Sequence, residues 1–308
     1  MSMELSDYNR IIGYGVGQYY ETIKTALAEK IKLDALCDKK FDEENIIEYD
    51  GIPVVSRKAL AEAENVLVIL MLSNHYICAQ IQSELKECGI PYVHVDKILQ
   101  TKRAISGKEL KQKYPDGKYE DFRGNKIFFD ETLADAINVY FKGNNNVLEI
   151  GRNVTVGSLD VAYGCNGWCK IGDNTDILGA QFHISEAGIS IGSDCLFSIG
   201  IILRTHDAHH IFDKTTHKRL NYAKDIIIGN QVWIAYNATL HGGCEIGDGS
   251  VVGERSLTSS RFGDHVVIAG SPAKVLRENI CWSKDGTEFF NCDTLEECLS
   301  QDALKYMD

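Results

Sequence analysis

Four histidines, His206, His209, His210 and His217, share one short stretch of the chain, with Asp207 beside the first. A neutral imidazole takes a proton from a hydroxyl as that hydroxyl attacks, and its ordinary pKa keeps it neutral near pH 7. Residue type alone leaves open which histidine is the base. Asp207 could orient an imidazole or only shape the turn. A second group lies near the start, where Gly13, Gly15 and Gly17 follow a short apolar run. Such a loop cradles the phosphates of a nucleotide or nucleotide-sugar at a helix N-terminus, or simply makes a tight strand-to-helix turn. The nine histidines and ten cysteines show no tetrahedral ligand spacing, so no metal is expected.

The chain that holds these groups has 308 residues, enough for about two domains. Its 44% hydrophobic and 25% charged residues are ordinary for a globular protein. The net charge of −12 argues against nucleic-acid binding, which needs a basic face, but not against an anionic ligand held by a few local cations. The longest apolar run, residues 66–72, is too short to span a bilayer, so no transmembrane segment is expected. The opening residues, with Glu4, Asp7 and Arg10, lack the basic-then-apolar order of an export signal. The cysteines are irregularly spaced with no CxxC pair, and reduced thiols in the cytoplasm are the expectation.

Two kinds of element are legible. From the N-terminus, a strand enters the glycines, a helix is expected over 19–30, and a second strand over 31–37 ends at Asp38. Strands at 66–72 and 92–95 flank a helix over 76–87. The alternation predicts a Rossmann-like α/β domain over residues 1–105, although Gln18 stands where the third fingerprint glycine belongs. Residues 106–146, polar and turn-rich, are expected to connect this domain to the next.

After Asn146 a six-residue rhythm begins. Ile150-Gly151-Arg152-Asn153 recurs as Ile171-Gly172-Asp173-Asn174, Ile191-Gly192-Ser193-Asp194, Ile228-Gly229-Asn230-Gln231 and Ile246-Gly247-Asp248-Gly249. A period of six is a solenoid signature. Three short strands make each triangular coil, with an aliphatic residue from each pointing into the prism, so eighteen residues per coil are expected. Ile191 to Ile228 is 37 positions, read as two coils plus one residue with an irregular stretch inside. That stretch carries the histidines.

Residues 147–277 resemble the hexapeptide-repeat acyltransferases, in the galactoside and xenobiotic acetyltransferase branch, with a flavour of the bacterial surface-polysaccharide O-acetyltransferases. The resemblance rests on the repeats, on Asp207-Ala208-His209-His210-Ile211-Phe212-Asp213, on Ile228-Gly229-Asn230-Gln231-Val232-Trp233-Ile234, and on Ala269-Gly270-Ser271-Pro272-Ala273-Lys274-Val275. The N-terminal unit is similar to the domain that precedes the β-helix in nucleotide-sugar N-acetyltransferases. The resemblance implies a left-handed parallel β-helix with a protruding histidine loop, followed over 278–308 by a short tail whose helix is expected at 295–306.

It also implies acetyl-CoA as acyl donor, a sugar or glycan acceptor and a homotrimer. In the family the catalytic histidine lies 24 positions before the tryptophan of the next repeat, which selects His209 before Trp233, with His206 as runner-up. Trp233 is a candidate to pack against acceptor or cofactor. Ala235 and Gly253 stand where small residues pass the pantetheine arm. Ser271, Lys274 and Arg277 are placed near the pantetheine and nucleotide ends, with the two cations available for phosphates. Gln181, His183 and His210 are candidate acceptor-facing residues. Glu254 and Arg255 replace small family residues and either point outward or narrow the groove.

Three functions follow in order: acetyl-CoA-dependent O-acetylation of a surface-polysaccharide sugar or its precursor, N-acetylation of a nucleotide-linked amino sugar, and a non-catalytic trimeric sugar-binding scaffold.

Overall fold

The computed structural model describes residues 5–44, 46–99 and 104–284. The chain divides into two compact units, Met1–Lys102 and Arg103–Asp308.

The first unit is built on β1 (Arg10–Tyr14), α1 (Gln18–Ala28), β2 (Ala35–Cys37), β3 (Val66–Leu70), α2 (His75–Glu87) and β4 (Tyr92–His94). Its four strands are parallel, in the order β2-β1-β3-β4. β3 reads Val-Leu-Val-Ile-Leu and is buried throughout, as a central strand covered on both faces requires. One face carries Ile12, Val68 and Leu70 against Ile81 and Leu85, and the other carries Leu67 and Ile69 against Ile23 and Leu27. β2 starts at Ala35 and not at 31. Ile31 N donates to Leu27 O to close α1, and the Asp34 carboxylate accepts from Ile11 N, so residues 31–34 are spent on the turn.

The second unit is a three-sided parallel coil. Its first sheet runs through Ile137–Phe141, Leu159–Tyr163, Ala180–Ile184, Ile201–Arg204 and Thr239–His241. The second runs through Val147–Ile150, Trp168–Ile171, Gly188–Ile191 and Ile226–Ile228, and the third through Asp176–Ile177, Leu196–Phe197, Trp233–Ile234 and Val251–Val252. The aliphatics that mark the repeats stack in register, Ile150 on Ile171, Ile191, Ile228 and then Ile246. At the N-terminal end the prism is filled by an aromatic pile, Tyr119, Phe141 and Tyr163, with centroids 6.1 and 5.4 Å apart.

The repeat's polar letters have a local cause. After each isoleucine and glycine the chain turns a corner whose last residue is left-handed: Asn153, Asn174, Asp194 and Gln231 have φ of 57, 57, 60 and 50°. Asn and Asp tolerate that conformation better than most residues. The residue before it supplies a carboxylate or amide to the coil below, Asp173 Oδ1 accepting from Arg152 N and Asn230 Oδ1 from Ser193 N. The glycine is obligatory because corners touch; a Cβ on Gly192 would lie 2.4 Å from Gly229 O.

Three expectations are corrected. Residues 106–146 do not merely connect, because Lys126–Phe128 and Ile137–Phe141 already pair as coil strands, so the coil begins before residue 147. Eighteen residues per coil holds for Ile228 to Ile246 only in part of the solenoid: Val147 pairs with Trp168, 21 positions on, and Glu245 with Arg261, 16 on. Ile191 pairs directly with Ile228, so the 37-residue step is one coil with an insertion, not two. Corner length is free to vary because only the inward residues must keep register.

Antiparallel strands cover part of each end, Ala104–Ser106 on the first sheet and Lys118–Glu120 on the second at one end and Ala273–Arg277 on the third at the other, which shields those edges. Beyond them, residues 278–284 run back along the third sheet. Ile280 N donates to His265 O at 3.0 Å, His265 Nδ1 lies 3.2 Å from Ile280 O, and Lys284 pairs with Asp176 at 2.8 Å. The helix expected at 295–306 lies outside the described residues. Among the described residues no helix is long and apolar enough to cross a membrane.

Candidate active site

The insertion leaves the coil after Arg204 and returns at Ile226, with Lys224 N donating to Thr205 O at its base. It holds two parts. Residues 211–220 form a small hairpin, joined by Phe212 and Arg219 and by Leu220 N to Ile211 O, with Asp213 capping the amides of Thr215 and Thr216. His217, exposed and left-handed at φ 56°, sits in that hairpin turn. Residues 206–210 instead line a cavity of about 400 Å³ with His183, Arg204, Arg219, Glu186 and Lys142. His206, His209 and His210 line it and His217 does not. Gln181 lies two residues along the strand from His183 and is not among the lining residues.

A sharp turn presents the histidines. Ala208 has φ of 64°, and His209 N donates to Asp207 O at 2.7 Å, a three-residue turn that is strained for a residue with a Cβ. Asn221 holds it. Its amide nitrogen donates to Asp207 Oδ2 at 3.0 Å and to the His209 carbonyl at 2.8 Å, while its oxygen accepts from Ile211 N at 2.7 Å. Sequence reasoning missed Asn221; a lone asparagine fourteen residues from its partner carries no local signal. Of the two roles open for Asp207, turn shaping is the one its hydrogen bond performs.

The two leading imidazoles differ. His206 Nδ1 accepts from Ala208 N at 2.9 Å, which puts the proton of the neutral ring on Nε2 and makes that nitrogen a donor. Burial and then the Arg204 charge lower the pKa of His206, and the same two causes lower that of His183. His209 is exposed, and among the described residues its ring has no hydrogen-bond partner. Neither ring nitrogen of His209 is therefore committed to another described residue.

Trp233 stands on the outer face of the third sheet, half covered by Trp282, with ring centroids 6.0 Å apart. Trp282 Nε1 donates to Gln231 O at 2.7 Å, so the returning segment is pinned beside it. Next to Trp233 the coil edge carries one small residue per turn, Ala235, Gly253 and Ala269, linked through Ala235 N to Val252 O and Gly253 N to Ile268 O. Lys274 pairs with Ala269 on the closing strand; Ser271, Lys274 and Arg277 are all exposed. Glu254 and Arg255 are exposed and face one another at 3.8 Å, so they point outward.

The glycine loop is different. Gly15 N donates to Cys37 O, Val16 N to Asp38 Oδ2 at 2.8 Å, and Lys40 Nζ to Val16 O at 3.3 Å. Gly15, at φ +100°, and Gly13 are forced by close packing, since a Cβ on either would lie within 2.7 Å of Leu72 or Met71. Gly17 begins α1 with open space around it.

Comparison with known proteins decides the family. The family described as bacterial transferase hexapeptide (six repeats) matches residues 225–259. The polysialic acid O-acetyltransferase of Neisseria meningitidis is 37% identical over 149 residues, 48% of this chain and 69% of that protein. The chain belongs to the hexapeptide-repeat acetyltransferases. The polysialic acid O-acetyltransferase of Escherichia coli O1:K1 / APEC is 35% identical over 126 residues, 40% of this chain but only 41% of that protein's length. Among solved structures, the polySia-specific acetyltransferase NeuO matches with a TM-score of 0.54 and 30% identity, over 59% of this chain and 82% of that one. As in other hexapeptide-repeat acetyltransferases, the strands that carry the repeats stack as parallel sheets around one core.

Proposed function

We propose that this chain transfers the acetyl group of acetyl-CoA to a hydroxyl of a sugar in a bacterial surface polysaccharide or its precursor, with His209 as general base. The observation that carries the reading is the unpartnered His209 ring at the rim of a 400 Å³ cavity, held there by a turn that Asn221 fixes. His209 takes the acceptor proton as the hydroxyl oxygen attacks the thioester carbonyl, and returns it to the departing thiolate. His206, a donor through Nε2, orients the hydroxyl or supports the oxygen on which charge develops.

Acetyl-CoA fits along the small-residue column of Ala235 and Gly253, with Trp233 beside it and Ser271, Lys274 and Arg277 toward its phosphates. The coil is taken as left-handed and the assembly as a homotrimer in the cytoplasm, by membership of the family. The N-terminal unit is read as a Rossmann-like domain. Its loop amides at Gly15 and Val16 are already bonded, which favours O-acetylation over an N-acetylation that would need a nucleotide held there. The test is thiol release from acetyl-CoA with surface-glycan fragments. Turnover by the wild type that is absent in His209→Ala supports the reading; equal turnover in both sinks it.

A further inference from the structure

Across a chain of net charge −12, the cavity at the histidine turn runs against the trend. Three permanent cations line it, Lys142, Arg204 and Arg219, against two acids, Glu186 and Asp207. The acids are engaged. Glu186 holds Arg219 at 2.8 Å, whose guanidinium also lies 5.0 Å from the centre of the Tyr222 ring, and Asp207 accepts from Asn221. Arg204 and Lys142 make no ion pair with any described residue.

The register explains where they point. Tyr140, Ala162, His183, Arg204 and His241 form one outward row across five strands of the first sheet, since Phe141, Tyr163 and Ile184 beside them are buried. Arg204 therefore stands directly beside His183 and one residue before the insertion that carries His206 and His209. Lys142 follows Phe141, three coils from Arg204, and it lines the same cavity. A half-buried guanidinium without a partner is costly to keep unless something pairs with it. Its planar fork suits a carboxylate, which it binds bidentately, and a lysine nearby adds charge without fixed geometry.

We propose that Arg204 and Lys142 form a carboxylate-recognition subsite in the acceptor cavity, so that the acceptor of this chain is an acidic sugar. The proposal rests on the acetyl-transfer reading above and adds the substrate class to it. A bound carboxylate next to Arg204 places the sugar ring within the cavity that His206 and His209 line, and so ties recognition to the hydroxyl that reacts. It would also neutralise the charge that disfavours protonation of the neighbouring imidazoles.

The experiment uses the full chain with oligomers of sialic acid and of galacturonic acid, each paired with its carboxyl-reduced counterpart, and with acetyl-CoA. The expected result is turnover of at least one acidic oligomer about tenfold or more faster than its reduced form, at sub-saturating acceptor. Arg204→Gln should raise KM for that oligomer by about tenfold while KM for acetyl-CoA stays within about twofold, and Lys142→Gln should do so more weakly. Arg204→Lys should recover part of the loss. The acyl donor's phosphates are the other anions these cations could take, and a rise in acetyl-CoA KM with unchanged acceptor KM would overturn the assignment. So would equal or better use of the reduced, neutral oligomers, which leaves the acetyl-transfer reading standing. If no glycan, acidic or neutral, is acetylated although acetyl-CoA binds, that broader reading fails and takes this one with it.

Discussion

The glycine loop at residues 13–17 and the histidine turn at residues 205–210 look alike as sequence: each is a short run of chemistry-bearing residues between regular elements. Their physical states are opposite. At the glycine loop the buried amides of Gly15 and Val16 are spent on Cys37 O and Asp38, and Gly13 and Gly15 answer to the packing of Met71 and Leu72. At the histidine turn a strained Ala208, a His209 ring and two cations, the last three without a side-chain partner among the described residues, face a cavity. A site prepared for a ligand leaves groups unsatisfied; a structural turn satisfies its own. That difference separates the two readings of a motif better than the motif does.

The contrast can be broken at either end. His209→Ala should lower kcat by about a hundredfold or more, measured by thiol release. Asn221→Ala frees Asp207, the His209 carbonyl and Ile211 N at once. A loss of about tenfold in kcat, with acetyl-CoA KM unchanged, is expected from the misplaced base; an unchanged kcat would show that the turn holds itself. Asp38→Ala removes the acceptor of Val16 N and should destabilise the protein by about 1 kcal/mol in chemical denaturation, leaving turnover alone. The smallest effect is expected for Gly17→Ala, whose added methyl meets nothing: stability and turnover should stay within about twofold of the wild type. A loss of activity there comparable to that of His209→Ala would make the glycine loop a working site.

Acidity sharpens the comparison further. His206 is neutral in its turn, and only the neutral ring accepts from Ala208 N. Its pKa is lowered by burial and by Arg204, so the folded protein binds fewer protons there than the unfolded chain, whose histidine titrates near about 6.5. Stability from this group is therefore intact above about pH 6.5 and falls as pH drops toward the lowered folded value. Arg204→Gln should raise the His206 midpoint in an imidazole NMR titration. An unmoved midpoint would place the Arg204 charge too far away to matter.

Much of the second unit was legible in advance because its rule is short-range. Ile150, Ile171, Ile191, Ile228 and Ile246 each recur with a glycine and a polar corner, and the backbone of one coil dictates the next. Coil length was not legible, since the corners absorb insertions without disturbing the inward residues. The strands at 126–128 and 137–141 escaped notice because they lack the Ile-Gly corner, their core being the aromatic pile of Tyr119, Phe141 and Tyr163. The histidine cluster was visible by residue type and the family spacing put His209 first, but Asn221 and Arg204, which act on the turn and its imidazoles from outside the motif, were not legible.

What the sequence determined by itself is the solenoid, the α/β character of the first unit and the identity of the groups able to move a proton. Each follows from periodicity or residue chemistry over a few neighbouring positions. Only the tertiary structure decided that His217 stands apart from His209, that Asp207 serves Asn221, that Lys142 and Arg204 share one cavity, and that Asp38 fills its own loop. These depend on which side chains meet after the chain has coiled, and whether a polar group is left without a partner is settled by that meeting.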